Sequence, residues 1–133
     1  MCSCMEKLKL AYTVFLKAFS TFKEILKESE GPVVRDASIQ RLKCTFEAAW
    51  KLLKVYLYTI EGVGCGSPKG CFRQALTVGM LSEEEVESTL RMCDDRNLTS
   101  HTYIEAIATQ IYHRLPQYSS MLEKLQLKIG VRL

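Results

Sequence analysis

The sequence predicts an all-α protein, an up-and-down antiparallel bundle of four to five helices. Three observations carry this. Apolar residues recur at spacings of three and four along most of the chain, the period of a helix with one buried face. Glycine, proline and Ser/Thr-x-x-Glu signals fall between those stretches, where helices should stop and start. Runs of Val, Ile and Thr with a period of two, the mark of half-buried strands, do not occur.

The elements follow in order. Over residues 5–28, Leu8, Ala11, Tyr12, Phe15, Ala18, Phe19, Phe22, Ile25 and Leu26 form one stripe, and Glu30-Gly31-Pro32 stops the helix. Asp36 is placed to cap the second helix. Its inner face reads Ile39, Leu42, Phe46, Ala49, Trp50, Leu53, Leu57 and Ile60, and Gly62, Gly64 and Gly66 end it. Ser67-Pro68 supplies an N-cap and a first-turn proline for a short helix carrying Phe72, Ala75 and Leu76, ended by Gly79. Ser82 and Glu85 make a capping box, and Glu83 and Glu84 suit the positive end of the helix behind it. Val86, Leu90 and Cys93 or Met92 face inward from that helix. Thr102 and Glu105 read as a second capping box. The last helix then runs through Ile104, Ile107, Ala108, Ile111 and Leu115, past Pro116, to Leu122, Leu125 and Ile129. Internal repeats and low-complexity tracts are absent, so one domain over residues 1–133 is expected, with residues 1–4 and 130–133 frayed.

A chain of 133 residues buries roughly two-thirds of its unfolded surface, so it needs neither a metal nor a disulfide to hold a core. The net charge of +3 does not by itself argue for nucleic acid. The charge is uneven, however: residues 1–54 hold ten Lys/Arg against six Asp/Glu, and residues 55–133 hold eight against nine. The opening residues carry Glu6, Lys7, Lys9 and Lys17 and lack the long apolar core of a signal peptide. No stretch approaches the ~20 apolar residues of a membrane span. A cytoplasmic location is therefore expected, with all six cysteines as reduced thiols. Cys44 and Cys93 read as small core residues, while Cys65 and Cys71 flank a turn. No C-x2-C pair exists and only two histidines are present, so neither a metal site nor a cofactor is expected.

Several motifs reduce to structure. "EGVGCGSPKG" lacks the register of a phosphate loop and the strand that precedes one, so its glycines read as helix ends. Phe15, Phe19, Phe22 and Trp50 lie on apolar stripes and read as core. Lys124, Lys128 and Arg132 form a stripe on the last helix that reads as a solvated face, with an acidic partner or RNA backbone as the alternative.

"RMCDDRNLTSHTYIEA" is different. Arg96 and His101 are five residues apart, about 140° around an unbroken helix, so they converge only if the helix breaks between them. Thr99 and Ser100 compete for backbone hydrogen bonds, and the expected capping box at Thr102 restarts a helix just beyond. A turn there would bring guanidinium and imidazole together near free backbone N–H groups, an arrangement suited to an anion. These groups match metal-free RNA cleavage. Histidine transfers protons near neutral pH, arginine holds phosphoryl oxygens through a rigid fork of donors, and Asn97 can position the substrate or the histidine. One histidine is thin for both acid and base, and a symmetric dimer would offer two. A lone histidine at a helix junction is more often structural or solvated.

The segments "RDASIQRLKCTFEAAWKLLKVYL" (35–57), "GCGSPKGCFRQA" (64–75) and "DDRNLTSHTY" (94–103), in this order, resemble the nucleotidyltransferase substrate-binding protein family, part of the HEPN group of small helical proteins. The likeness spans residues 5 to about 127. The resemblance implies a HEPN-type homodimer paired with a minimal nucleotidyltransferase encoded nearby. It implies either of two roles. One is a metal-independent ribonuclease toxin using Arg96, Asn97 and His101, silenced when the partner adenylylates Tyr103 in the R-x4-H-x-Y string. The other is a non-catalytic subunit that presents RNA or a nucleotide substrate to the transferase. Both branches share the string, so it does not choose between them.

Overall fold

The computed structural model describes residues 2–133; Met1 and the side chain of Cys2 lie outside the described residues. Five α-helices follow one another: α1 (Cys2–Ile25), α2 (Pro32–Glu61), α3 (Pro68–Thr77), α4 (Glu83–Leu98) and α5 (Glu105–Gly130). A single 3-10 turn, Thr99–His101, joins α4 to the segment before α5, and no strand occurs among the described residues.

The four long helices form the predicted up-and-down bundle, and cross-helix contacts fix their directions. Thr45 donates to the Ala18 carbonyl and Arg41 to the Thr21 carbonyl, so α1 and α2 run antiparallel. Tyr12 reaches the Gln126 carbonyl and Lys23 pairs with Glu123, which sets α5 antiparallel to α1. Asp95 meets Arg114 and Glu85 meets Lys128, which does the same for α4 and α5. Helix α2 packs on all four others, so it is the spine of the bundle. Short α3 lies against α2 and α4.

The core follows the apolar stripes. Phe15, Phe19 and Phe22 of α1, Leu42, Phe46, Leu53 and Leu57 of α2, and Ile111, Leu115, Leu122 and Leu125 of α5 are buried in one cluster. Phe72 of α3 stacks obliquely on Phe46 at 6.4 Å between ring centroids. Tyr118 is fully buried as well, although the sequence stripe did not include it. Trp50 is only half buried, its indole N–H donating to Glu47. Ile104 and Cys44 are exposed rather than core. Ile104 sits just before the helix instead of on its inner face, and Cys44 falls on the outer side of α2, between buried Leu42 and buried Thr45. The α5 helix continues through Pro116 to Gly130.

Helix ends divide into those read correctly and those displaced. Gly62 closes α2 in the left-handed conformation at φ 69°, a geometry that favours glycine. The Ser67 hydroxyl accepts from Gly70 N–H at 3.0 Å. A Cβ on Gly70 would sit 2.9 Å from that hydroxyl oxygen, so glycine leaves room for the cap. At α4, Ser82 accepts from Glu85 N–H and Glu85 accepts from Ser82 N–H, the full capping box. The Ser82 backbone hydrogen bond is the main cause holding the Glu85 carboxyl below the usual range, with Lys128 adding to it. Asp36, in contrast, does not cap α2. The helix starts four residues earlier, at Pro32, because proline at the first position provides its own start signal. Nor do Thr102 and Glu105 form a box. Thr102 donates to the Thr99 carbonyl instead, Ile104 is the residue before α5, and Glu105 turns to Arg35 of α2.

The expectation of six reduced thiols is also corrected. Cys65 and Cys71 form a disulfide with Cα atoms 5.2 Å apart, because the start of α3 folds the chain back on the end of the α2–α3 connection. Cys93 is a buried thiol, and burial pushes it up to about 12.

Replacing Ser82 with Ala removes one half of a complete box and is expected to lower stability by about 1 kcal/mol in urea denaturation. Thr102→Ala, which removes no cap, should cost less than about 0.5 kcal/mol. Acid should weaken the fold through Glu85. Its contribution is full above the unfolded carboxyl value of 4.5 and drains away as pH falls through the lowered native value. Glu85→Gln should flatten that limb of a stability–pH curve.

Candidate functional site: a pocket at the C-terminal end of α4

Helix α4 enters its last turn with Asp95 pointing inward. Asp95 is 3% exposed, and its carboxylate is fully engaged. Arg114 donates from Nε to Oδ2 at 2.7 Å and from Nη2 to Oδ1 at 2.8 Å, a two-pronged ion pair. The Tyr118 hydroxyl donates to the same Oδ2. Hydrogen bonding to Asp95 raises the Arg114 guanidinium above its ordinary value. Burial, reinforced by Asp95, raises the Tyr118 phenol. Both side chains come from one face of α5, four residues apart, so this network sets how far α4 can slide or rotate on α5.

With Asp95 fixed inward, the next two residues turn toward α2 and α3. Arg96 and Asn97 line a pocket of about 270 Å³ together with Phe46 and Glu47 of α2, Ser67, Pro68 and Lys69 at the start of α3, and Cys93. Arg96 Nε lies 3.5 Å from Glu47 Oε1, but its hydrogen does not align with the carboxylate, so the contact is Coulombic and that buried N–H is left without an acceptor. Glu47 is steadied from its other oxygen by the Trp50 indole at 3.1 Å. Lys69 Nζ pairs with Asp94 Oδ1 at 2.6 Å. The Glu47 and Asp94 side chains are 40% and 61% exposed. Ion pairs in such settings contribute at most about 1 kcal/mol, so an anionic ligand can displace them. The pocket therefore offers two cations, one carboxylate, an amide and a hydroxyl over an apolar floor.

The four residues singled out in the sequence part company here. Arg96 and Asn97 are on the pocket wall. His101 is not on that wall. It ends the 3-10 turn as an exposed residue, with Nδ1 3.4 Å from the Tyr103 hydroxyl and the two rings edge to face at 5.9 Å. Tyr103 is 80% exposed. The α-helix does end between Arg96 and His101: α4 closes at Leu98, and Thr99–His101 form the 3-10 turn. Leu98, Thr99 and Thr102 all keep right-handed helical angles, and Ile104 is extended. Two helical steps and three 3-10 steps turn the chain by about 560°, leaving the side chains roughly 160° apart. On such a path the two side chains leave the backbone from different sides.

Glu47, Lys69 and Ser67 were not singled out as site residues. The signal was present, because Lys69 and Ser67 lie in "GCGSPKGCFRQA" and Glu47 follows Phe46 on α2. Only packing shows that these segments meet at Arg96. No group of three or more His, Cys, Asp or Glu side chains converges as a metal site among the described residues. No helix among them is long and apolar enough to cross a membrane.

Fold and pocket together define a small helical bundle with one cleft lined by charged and apolar side chains. Residues 10–130 match the model of the family described as "nucleotidyltransferase substrate binding protein like", and the chain belongs to that family. A crystal structure of a protein from Thermus thermophilus is similar, with 46% sequence identity and a TM-score of 0.83 over 86% of this chain and 98% of that one. No curated protein matches the sequence.

The Asp95 network predicts a specific alkaline limb. A phenol raised in the folded state stabilises the fold fully below the unfolded tyrosine value of 10.0. That contribution is lost as pH rises from there through the higher native value. Stability measured by denaturant should fall above about pH 10, and Tyr118→Phe should remove part of that slope. Asp95→Ala leaves Arg114 without its partner and should cost about 3 kcal/mol.

Proposed function

We propose that this chain is the substrate-binding subunit of a cytoplasmic two-component nucleotidyltransferase, and that the pocket of Arg96, Asn97 and Lys69 holds the phosphate-bearing part of the substrate. One observation carries the reading: Arg96 and Asn97 of α4 and Lys69 of α3 line one apolar-floored cleft, where two cations outnumber the single carboxylate of Glu47. Its volume of about 270 Å³ is at the small end of ligand sites, which suits one nucleotide-sized unit better than an extended strand. Arg96 supplies a fork of donors for phosphoryl oxygens. Phe46 and Pro68 supply an apolar surface for a base or sugar face. Leu98, Tyr103 and Ile104, all exposed between the end of α4 and the start of α5, form the surface on which the transferase or a second copy of this chain packs.

A second reading is favoured by the exposure of His101 and Tyr103. In it, two HEPN-type chains dimerise, His101 of one chain completes the site of Arg96 and Asn97 in the other, and the pair cleaves RNA as a toxin without metal. Tyr103 is then the acceptor. Its hydroxyl oxygen takes AMP from ATP, pyrophosphate leaves, and the adjacent imidazole receives the proton. The bulk and charge of the adduct would block RNA.

Binding of AMP to the complex of chain and transferase, measured by calorimetry, tests the first reading. Arg96→Ala should weaken it about tenfold or more, the loss of one charged hydrogen bond, whereas His101→Ala should leave it unchanged. Equal loss in both variants, together with RNA cleavage in EDTA that either variant abolishes, would favour the ribonuclease instead. Mass spectrometry of Tyr103 after co-expression with the transferase should then show an added AMP.

A further inference from the structure

The loop closed by the disulfide is also a wall of the pocket. Ser67, Pro68 and Lys69 lie between Cys65 and Cys71, and all three face the space bordered by Arg96 and Asn97. Little else ties the approach to that wall. Gly62 and Val63 still bond to the Leu57 carbonyl at the end of α2. Beyond them, Gly64, Cys65 and Gly66 make no backbone hydrogen bond among the described residues, and the next fixed point is the Ser67 cap. Two glycines flanking Cys65 give this stretch wide conformational freedom, so the sulfur link is what restrains it. The two sulfurs also differ in access. Cys71 is fully buried in the first turn of α3, whereas Cys65 is partly exposed in the connection.

We propose that Cys65–Cys71 is a reversible thiol–disulfide switch on the substrate pocket, closed when it pins Ser67, Pro68 and Lys69 opposite Arg96 and opened by a dithiol reductant. The proposal rests on reading that pocket as the substrate site. In the opening step a reductant thiolate attacks Cys65 Sγ, forming a mixed disulfide and expelling the Cys71 thiolate. The second thiol of the reductant then attacks the reductant's own sulfur in that mixed disulfide and releases the Cys65 thiolate. The dithiol leaves as a cyclic disulfide, two electrons have passed to the protein, and the two protons lost by the dithiol end on Cys65 and Cys71. A disulfide in a protein kept among reducing thiols is more often regulatory than structural. Cys93 lines the same pocket but does not compete for exchange. Burial pushes its thiol up to about 12, so it stays protonated at neutral pH.

The test uses the full chain in complex with its transferase, held in oxidised or reduced dithiothreitol, with AMP as the probe. In the oxidised buffer, digestion should yield a linked Cys65–Cys71 peptide; in the reduced buffer, both residues should be alkylated. Amide exchange across residues 64–70 should quicken at least tenfold on reduction, while α1 and α5 stay unchanged. AMP should bind at least fivefold more weakly to the reduced chain. Cys65→Ser, at the more exposed partner, should behave as the reduced form in both buffers. Absence of the linked peptide, or equal exchange in the two states, would overturn the switch. Equal AMP affinity in the two states would overturn its control of the pocket. If AMP binds neither form, the substrate reading of the pocket falls, and the exchange measurement alone decides whether the loop is redox-controlled.

Discussion

A single buried carboxylate sets the register on which the rest of this bundle depends. Asp95 is nearly inaccessible, and it is satisfied only because Arg114 and Tyr118 present three donors from adjacent turns of α5. A buried ion pair adds little net stability, since desolvation offsets most of the attraction. What it adds is discrimination. Sliding α4 along α5 by one turn, or rotating it, would leave a carboxylate in the core without partners, and that penalty is much larger than the cost of misplacing an aliphatic contact. Neutral apolar contacts elsewhere in the bundle tolerate such shifts better, because they are not directional.

The pocket is a consequence of that register. Once Asp95 points at α5, Arg96 and Asn97 are carried toward α2 and α3. There they meet a carboxylate anchored by Trp50 and a helix start anchored by the Ser67 cap. The guanidinium is thus held by its backbone and surroundings rather than by strong hydrogen bonds of its own. A cation held in place yet incompletely bonded is prepared for a ligand, because little reorganisation is needed when an anion arrives.

His101 does not join Arg96 and Asn97 on the pocket wall. Helix α4 ends at Leu98, and the 3-10 turn that follows carries the imidazole beyond that wall. His101 and Tyr103 instead form an exposed pair at the corner before α5, accessible to another macromolecule. The protein presents two chemically distinct surfaces from one short segment: a cleft suited to an anion, and an outward-facing imidazole and phenol.

Local chemistry alone determined the helical class, the order of the elements, the stripes that became core, and the caps at Ser67 and Ser82. Each depends on residues a few positions apart, whose spacing is fixed once the backbone is helical. Residues 35–57, 64–75 and 94–103 were also enough to bring the family into view. Tertiary structure decided the rest, because it depends on what lies across the bundle. Tyr118 became a buried donor because Asp95 faces it. Glu105 was drawn from a predicted cap to Arg35, Cys65 and Cys71 met through the turn into α3, and Glu47 and Lys69 joined Arg96 from helices far apart in the chain. The end of α4 before His101 was legible locally, because Thr99 and Ser100 bond their hydroxyls to the Arg96 and Asn97 carbonyls where the α-helix gives way to the 3-10 turn. Which residues meet Arg96 in the pocket was not, because Phe46, Glu47 and Lys69 reach it only through packing.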